Sequence, residues 1–304
     1  MSRASWAVPI RAVPGAYTIG GDSNVSITAA SDAVFTGAVY GGGYSSSGTS
    51  TVSGNSSLTL DGGAYAGALY AGGGGTGSSV NGDATLTVKK AVFRTGSTLN
   101  ASEGTVGGTS SLLLGGYGNT ADHAISFSNT AVTGFDIVTM FQDSFFTGNL
   151  NMTGSSVLAL AGGAGTGINL DGSFSLSAEG ELTLDLSGFG TLTDGMSVLS
   201  TAGLSNISSI KASFADGVAG SITISDNGKD LVYTAGTLLL WEGVKTASGA
   251  RKMSGRTAAL PPHMRMVWRF PLQTRLESLT LSYIWILRFL QAPCLFATPP
   301  PVMN

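Results

Sequence analysis

Three carboxylates stand close together in this chain, Glu179, Glu181 and Asp185. Glycoside hydrolysis needs two facing carboxyl groups at a set separation. Glu179 and Glu181, two positions apart, share one face of a strand. Elimination from an acidic sugar would also want Lys or Arg beside them. Before residue 245 the basic cluster is Lys89, Lys90 and Arg94, about ninety positions away. In a stacked-repeat fold, distance along the chain is distance in space, so the two sets are not expected to meet. A polysaccharide lyase or glycosidase is therefore the alternative reading, and catalysis is not the expected one.

Other chemistry is thinner. His123 beside Asp122 is far short of the three or four ligands that zinc takes, and no Gly-x-Ser-x-Gly elbow is present. Gly72-Gly73-Gly74-Gly75-Thr76-Gly77 fits a phosphate-cradle pattern. That pattern requires a helix to open after it, and Ser78-Ser79-Val80-Asn81-Gly82-Asp83 is poor in helix formers. Gly162-Gly163-Ala164-Gly165-Thr166-Gly167 approaches a calcium nonapeptide, but Gly167 stands where the Asp ligand is needed. Asp61, Asp171, Asp194 and Asp216 each precede Gly, as turn chemistry dictates. Five N-x-Ser/Thr sequons, at Asn24, Asn55, Asn100, Asn151 and Asn206, read as turn and strand-edge residues. The expectation is no catalytic residue, no metal and no cofactor.

The elements around these residues are legible from composition. Of 304 residues 45 are Gly and only 11% are charged, against about 25% in ordinary globular chains. Hydrophobic content of 42% is enough to build a core. A Gly-rich, charge-poor, β-branched chain calls for short strands and tight turns, hence an all-β fold. Residues 1–244 hold 17 Asp/Glu and 7 Lys/Arg, an acidic balance that argues against nucleic acid as partner. The single cysteine, Cys294, excludes a disulfide framework.

Self-similarity then chooses among all-β folds. Val34-Phe35-Thr36-Gly37-Ala38-Val39-Tyr40-Gly41-Gly42-Gly43 is echoed by Ala64-Tyr65-Ala66-Gly67-Ala68-Leu69-Tyr70-Ala71-Gly72-Gly73. Weaker copies run through Leu86 to Phe93 and through Leu112 to Gly118. Pairs at i, i+2 continue at Leu150/Met152, Val157 to Leu160, Ile168/Leu170, Phe174/Leu176 and Leu182/Leu184/Leu186. They resume at Ile222/Ile224, Leu231/Tyr233 and Leu238/Leu240, with a tight turn at Asp226-Asn227-Gly228. Residues 122–146 break the rhythm with several aromatics, as a larger loop or a wider aromatic rung. One repeat cannot bury its apolar row alone, whereas stacked repeats bury it continuously. The expected fold is a β-solenoid over residues 17–244; a β-sandwich or barrel is the alternative.

The Gly-aromatic-x-Gly-x-aliphatic-Tyr-x-Gly-Gly stretch from Gly63 to Gly73 resembles repeats of bacterial autotransporter-type passengers and related adhesin-like β-helical surface proteins. Asp226 to Tyr233, followed by Gly236 to Trp241, looks like a late rung of such a passenger. The resemblance covers about residues 17–243 and implies a right-handed parallel β-helix displayed at or beyond the outer membrane, with a structural or adhesive role. The family's translocator barrel is not visible in the chain. Tyr40, Tyr44, Tyr65, Tyr70 and Tyr117 are the candidate surface contacts, since Tyr offers a ring face and a hydroxyl; the competing reading makes them packing residues. Partners on this view are glycans or surface proteins, with no nucleic acid and no transmembrane helix.

Both ends differ from the middle. Residues 1–16 are irregular and lack a signal-length apolar run, which reads as a truncated start. From Lys245 the composition changes: seven of nine prolines and only two glycines lie there. Leu279 to Leu290 is too short to span a membrane and is interrupted by Arg288. A shifted reading frame accounts for residues 245–304 better. With permissible codons it yields Trp/Gly/Asn-rich sequence after Gly243, which leaves the tail without a selected function.

Overall fold

The computed structural model describes residues 15–117, 124–153, 155–162 and 166–237, all within one compact unit. Among the described residues there are twenty strands and no helix, and no helix long and apolar enough to cross a membrane. The all-β expectation holds. Pairing is parallel throughout except at the last two strands, which excludes a sandwich of antiparallel layers.

The longest ladder runs through eight strands: β2 (Ser23–Thr28), β6 (Ser56–Tyr65), β9 (Ala84–Phe93), β12 (Ser110–Leu114), β14 (Ile137–Phe141), β16 (Val157–Ala161), β17 (Ile168–Leu186) and β18 (Ser197–Phe214). Ser23 lies opposite Ser56, Ser56 opposite Ala84, Ala84 opposite Ser110 and Ser111 opposite Ile137. The spacing along the chain is uneven, 33 positions at the first junction and 20 at the one joining Ile137 to Val157.

Alternation fixes which residues point inward. Val25 and Ile27 sit over Leu58 and Leu60, which sit over Leu86 and Val88, then Leu112 and Leu114, then Val138 and Met140. The row continues through Leu158 and Leu160 to Leu184, and then to Ala212. From Leu58 to Leu186 these side chains are fully buried; Val25, Ile27, Ala212 and Phe214 at the two ends are only partly so. Burying one such aliphatic contributes about 1.5–3 kcal/mol, so the row is the fold's main stabilising element. Val138 and Met140 lie in the segment where the rhythm breaks, whose described part is strand with buried aromatics and not one larger loop. Phe127, Phe135 and Phe146 are buried there.

A second ladder holds β3 (Val34–Phe35), the ends of β6 and β9, β13 (Ala124–Thr133) and β15 (Phe145–Met152). A third holds β4 (Val39–Tyr40), β7 (Ala68–Tyr70), β10 (Thr98–Asn100) and the later half of β13. β9 and β17 are long enough to pair in more than one ladder. The hydrogen-bonded path therefore closes on itself through seven parallel strands, β9, β13, β15, β17, β16, β14 and β12. A separate sheet of β1 (Gly15–Ile19), β5 (Gly48–Val52), β8 (Ser78–Val80) and β11 (Thr105–Val106) flanks only the first part. β19 (Gly220–Ile224) and β20 (Asp230–Ala235) form the antiparallel hairpin expected at Asp226-Asn227-Gly228, with Gly228 at φ +70°.

Two devices turn the corners. Asp22 Oδ1 accepts from Asn55 N–H at 2.7 Å, Asn55 Oδ1 from Asp83 N–H at 2.9 Å, and Asp83 Oδ1 from Thr109 N–H at 2.8 Å. Each side chain thus caps the strand start one level on. At the other end of the same strands Gly62 adopts φ +101°, and a Cβ there would lie 2.0 Å from the Ala29 carbonyl oxygen. Only glycine fits both the angle and the space.

Inside the second ladder, aromatic rings stack. Phe35 and Tyr65 are 5.0 Å apart, Tyr65 and Phe93 6.0 Å, Phe93 and Phe127 5.7 Å. Tyr65 is 1% exposed, which corrects its place among the surface contacts. It points inward because it stands in register with Phe35 and Phe93, whereas its neighbour Ala64 is in register with the exposed Val34 and Val92. Its hydroxyl is satisfied by donating to the Gly62 carbonyl at 3.0 Å.

Candidate functional site

The remaining tyrosines gather on one corner. Tyr40 ends β4 and Tyr70 ends β7, directly opposite in the ladder. Their rings stack at 5.0 Å with 17° between planes. Tyr44 lies beyond, 5.2 Å from Tyr40 and tilted by 37°. Tyr17, from β1, donates its hydroxyl to the Tyr44 carbonyl at 2.8 Å and accepts from the Tyr44 N–H at 2.8 Å. A Cβ on Gly74 would lie 2.0 Å from Tyr40 Cε1. The bare glycine is what lets the ring lie against the backbone.

Glu103 closes the cluster. Tyr70 donates to Glu103 Oε1 at 2.6 Å, and the Gly75 N–H donates to Glu103 Oε2. These two bonds hold the Glu103 carboxyl below its usual range. Burial first, then the hydrogen bond and charge of Glu103, hold the Tyr70 hydroxyl above its usual range. Burial and then Glu103 raise Tyr40 likewise. The result is a pre-ordered patch of phenol rings with an ionised carboxylate at its edge. Tyr44 is 36% exposed, while Tyr40 and Tyr70 are half-buried with one face each spent on the other. The patch therefore offers Tyr44, ring edges and hydroxyls more than open ring faces.

Tyr117, 44% exposed, stands apart from the cluster. Lys89 Nζ lies 4.6 Å above its ring, a cation–π contact worth about 0.5–1 kcal/mol where exposed. Lys90 pairs with Asp61 at 3.8 Å. Both lysines, on β9, thus have partners, Asp61 on β6 and Tyr117 in the chain after β12.

The three carboxylates all lie on β17. Glu179 and Glu181 are exposed on β17. Asp185 Oδ1 is occupied by the Ser187 N–H at 2.9 Å and the Ser213 hydroxyl at 3.1 Å. β17 is three strand steps from β9 by the shorter way round the sheet, a path of about 14 Å at ordinary strand spacing. Among the described residues no ion pair joins the basic set to these carboxylates. Gly72–Gly77 leads into strand β8 and not into a helix. Among the described residues no group of three or more His, Cys, Asp or Glu is placed to hold a metal ion. His123, Asp122 and Gly163 to Gly165 lie outside the described residues, as do residues 245–304.

Four of the sequon asparagines lie in strands, and Asn55 belongs to the corner ladder. The residues that the sequence did not single out are Tyr17, Glu103 and Gly74. Nothing in its sequence setting separates Glu103 from Asp32 or Asp83, which also precede strands. Its partner Tyr70 required the three-dimensional register. Comparison of the chain with models of known families, with curated proteins and with solved structures finds no match.

Proposed function

We propose that this chain is a surface-displayed or secreted passenger with a structural and adhesive role, built as a right-handed parallel β-helix over residues 17–244. What supports the solenoid is the inner row, one aliphatic pair over the next through eight strand levels, buried everywhere except at its ends. The seven-strand closure is then the consequence of long strands bending from one face to the next. Seven steps of about 4.8 Å between the eight levels give a ladder about 34 Å deep. Such a stack is stiff, because each level is pinned to its neighbours by main-chain bonds and side-chain ladders. On this reading it holds a contact surface away from whatever anchors the chain.

The contact surface is the tyrosine corner, Tyr40, Tyr44 and Tyr70 with Glu103, together with Tyr117. Its exposed hydroxyls and carboxylate suit many weak polar contacts with glycans or with other surface proteins. The test is a binding panel of glycans and matrix proteins, read against Tyr44→Ser and Tyr117→Ser. Adhesion is supported if a ligand is retained by the wild type and at least fivefold less by the double variant. It is rejected if no ligand is retained, or if a polysaccharide is cut, which would turn the reading to a β-helical lyase or glycosidase.

A further inference from the structure

The tyrosine corner is richer in acceptors than in donors. Glu103 is exposed, and each of its oxygens takes one hydrogen bond, from the Tyr70 hydroxyl and from the Gly75 N–H. An ionised carboxylate offers about four acceptor sites, so about half stay open. Tyr70, its hydrogen given to Glu103, can only accept. Tyr17 has given its hydrogen to the Tyr44 carbonyl. The Tyr40 and Tyr44 hydroxyls each add a donor together with an acceptor, which does not reverse the balance. Among the described residues no Lys or Arg pairs with Glu103; Lys90 pairs with Asp61, and Lys89 lies over Tyr117.

The carboxylate is also ordered in advance. One of its bonds comes from a main-chain N–H, and the other from a ring that is itself stacked on Tyr40 at 5.0 Å. A partner therefore meets a group whose freedom is already lost. Glu103 Oε1 and Tyr70 Oη stand 2.6 Å apart, two acceptors side by side. Beyond Tyr40 lies Tyr44, the most exposed ring of the three.

We propose that the corner binds an arginine side chain presented by a protein partner, with the guanidinium donating to Glu103 and Tyr70 and the flanking peptide lying on Tyr44. A guanidinium carries five N–H donors and no acceptor, the complement of a site dominated by lone pairs and negative charge. Its planar fork reaches two adjacent acceptors at once, whereas lysine acts as a point charge. A neutral sugar brings acceptors as well as donors and leaves the charge unanswered. An acidic sugar would set like charge against Glu103. Residues 1–244 carry 17 Asp/Glu against 7 Lys/Arg, and a field of that sign draws a basic partner to the surface. The inference rests on the adhesive reading of the corner and narrows its partner to a basic protein segment.

The test uses the full chain and a Gly/Ser peptide carrying two arginines, displayed in many copies on a bead. A second bead carries citrulline in their place, which keeps the shape and loses the charge. Citrulline and Glu103→Gln should each lower retention about tenfold, as loss of a charged hydrogen bond does. Glu179→Gln, which removes the same charge from an exposed position on β17, should change it less than about twofold. Near-ultraviolet circular dichroism checks the corner in Glu103→Gln. If that variant disturbs the rings, Tyr44→Ser carries the test, with a several-fold loss expected. The proposal is overturned if the arginine bead retains nothing, if citrulline retains equally, or if Glu103→Gln and Glu179→Gln weaken retention alike, which would reduce the contact to general charge attraction. Retention on a neutral glycan that Tyr44→Ser and Tyr117→Ser abolish, with none on arginine, overturns this inference and leaves the adhesive reading standing.

Discussion

Tyr70 donates its phenolic hydrogen to Glu103 Oε1 across 2.6 Å, and the two residues are 33 positions apart along the chain. The bond joins β7 to the turn before β11 and fixes the ring on which Tyr40 lies. It also couples the tyrosine corner to pH.

Tyr40, Tyr65 and Tyr70 all have folded-state pKa values raised above the ordinary tyrosine range near 10. A group whose pKa is raised on folding adds stability that is fully present below the unfolded value and is lost as pH rises through the folded value. The absorbance change of Tyr40, Tyr65 and Tyr70 should thus come above the ordinary tyrosine range, together with unfolding. Glu103→Gln should bring the Tyr70 titration down only in part, because burial, the larger cause of its rise, remains. Superimposable titration curves for wild type and Glu103→Gln would show that the bond does not control the corner.

The inner row makes a prediction about position along the stack. Leu112 is fully buried between Leu86 and Val138; Leu112→Ala should cost about 2–5 kcal/mol. Ile27 is partly exposed on the first strand of the ladder. Ile27→Ala should cost well under half as much, because the lost methyl groups were already near water. Urea denaturation of both variants compares them. Equal losses would mean that burial is not graded along the row.

How far the sequence reveals this structure depends on which periodicity is asked of it. The inward pairs Leu58/Leu60, Leu158/Leu160 and Leu182/Leu184/Leu186 were legible, because alternation is local and aliphatics at i, i+2 announce it. Val138/Met140 was hidden by Phe135, Phe141, Phe145 and Phe146, which blur alternation when both faces carry apolar groups. Tyr65 was misread for a related reason. In sequence it matches Tyr40 and Tyr70 in type and in Gly-rich setting, and only strand phase separates the inward ring from the outward ones. The Asp22–Asn55–Asp83 ladder was not legible at all. Its members are 33 and 28 positions apart, and unequal spacing conceals a repeat that equal spacing would display.

Acid should loosen the corner between β12 and β14. Asp136 Oδ2 accepts from both the Ser110 N–H and the Ser110 hydroxyl at 2.7 Å, and these bonds, the backbone one first, hold its carboxyl below the usual range. A depressed carboxylate adds stability that is present above the unfolded value, about 3.9, and is lost as pH falls through the folded one. Asp136→Asn should therefore be less stable than wild type at neutral pH. The gap should close below about pH 3.9. Thermal melts from neutral pH to strong acid measure it, and a gap that stays constant across that range would remove Asp136 from the account.

Two glycines test the difference between space and freedom. Gly203, in β18, has nothing within 4 Å of a built Cβ and needs no positive φ; Gly203→Ala should be neutral or gain a few tenths of a kcal/mol by stiffening the unfolded chain. Gly74 has no positive φ either, but its Cβ would meet the Tyr40 ring at 2.0, 2.6 and 2.6 Å. The ring cannot yield toward Tyr70, which stacks on it at 5.0 Å, or toward Tyr44 at 5.2 Å. Gly74→Ala should thus push Tyr40 out of the cluster, costing about 1–3 kcal/mol as overpacking does, and should weaken the near-ultraviolet circular dichroism of the stacked tyrosines. If Gly74→Ala and Gly203→Ala give the same spectrum and the same melting temperature, close approach of the backbone is not what orders the tyrosine corner.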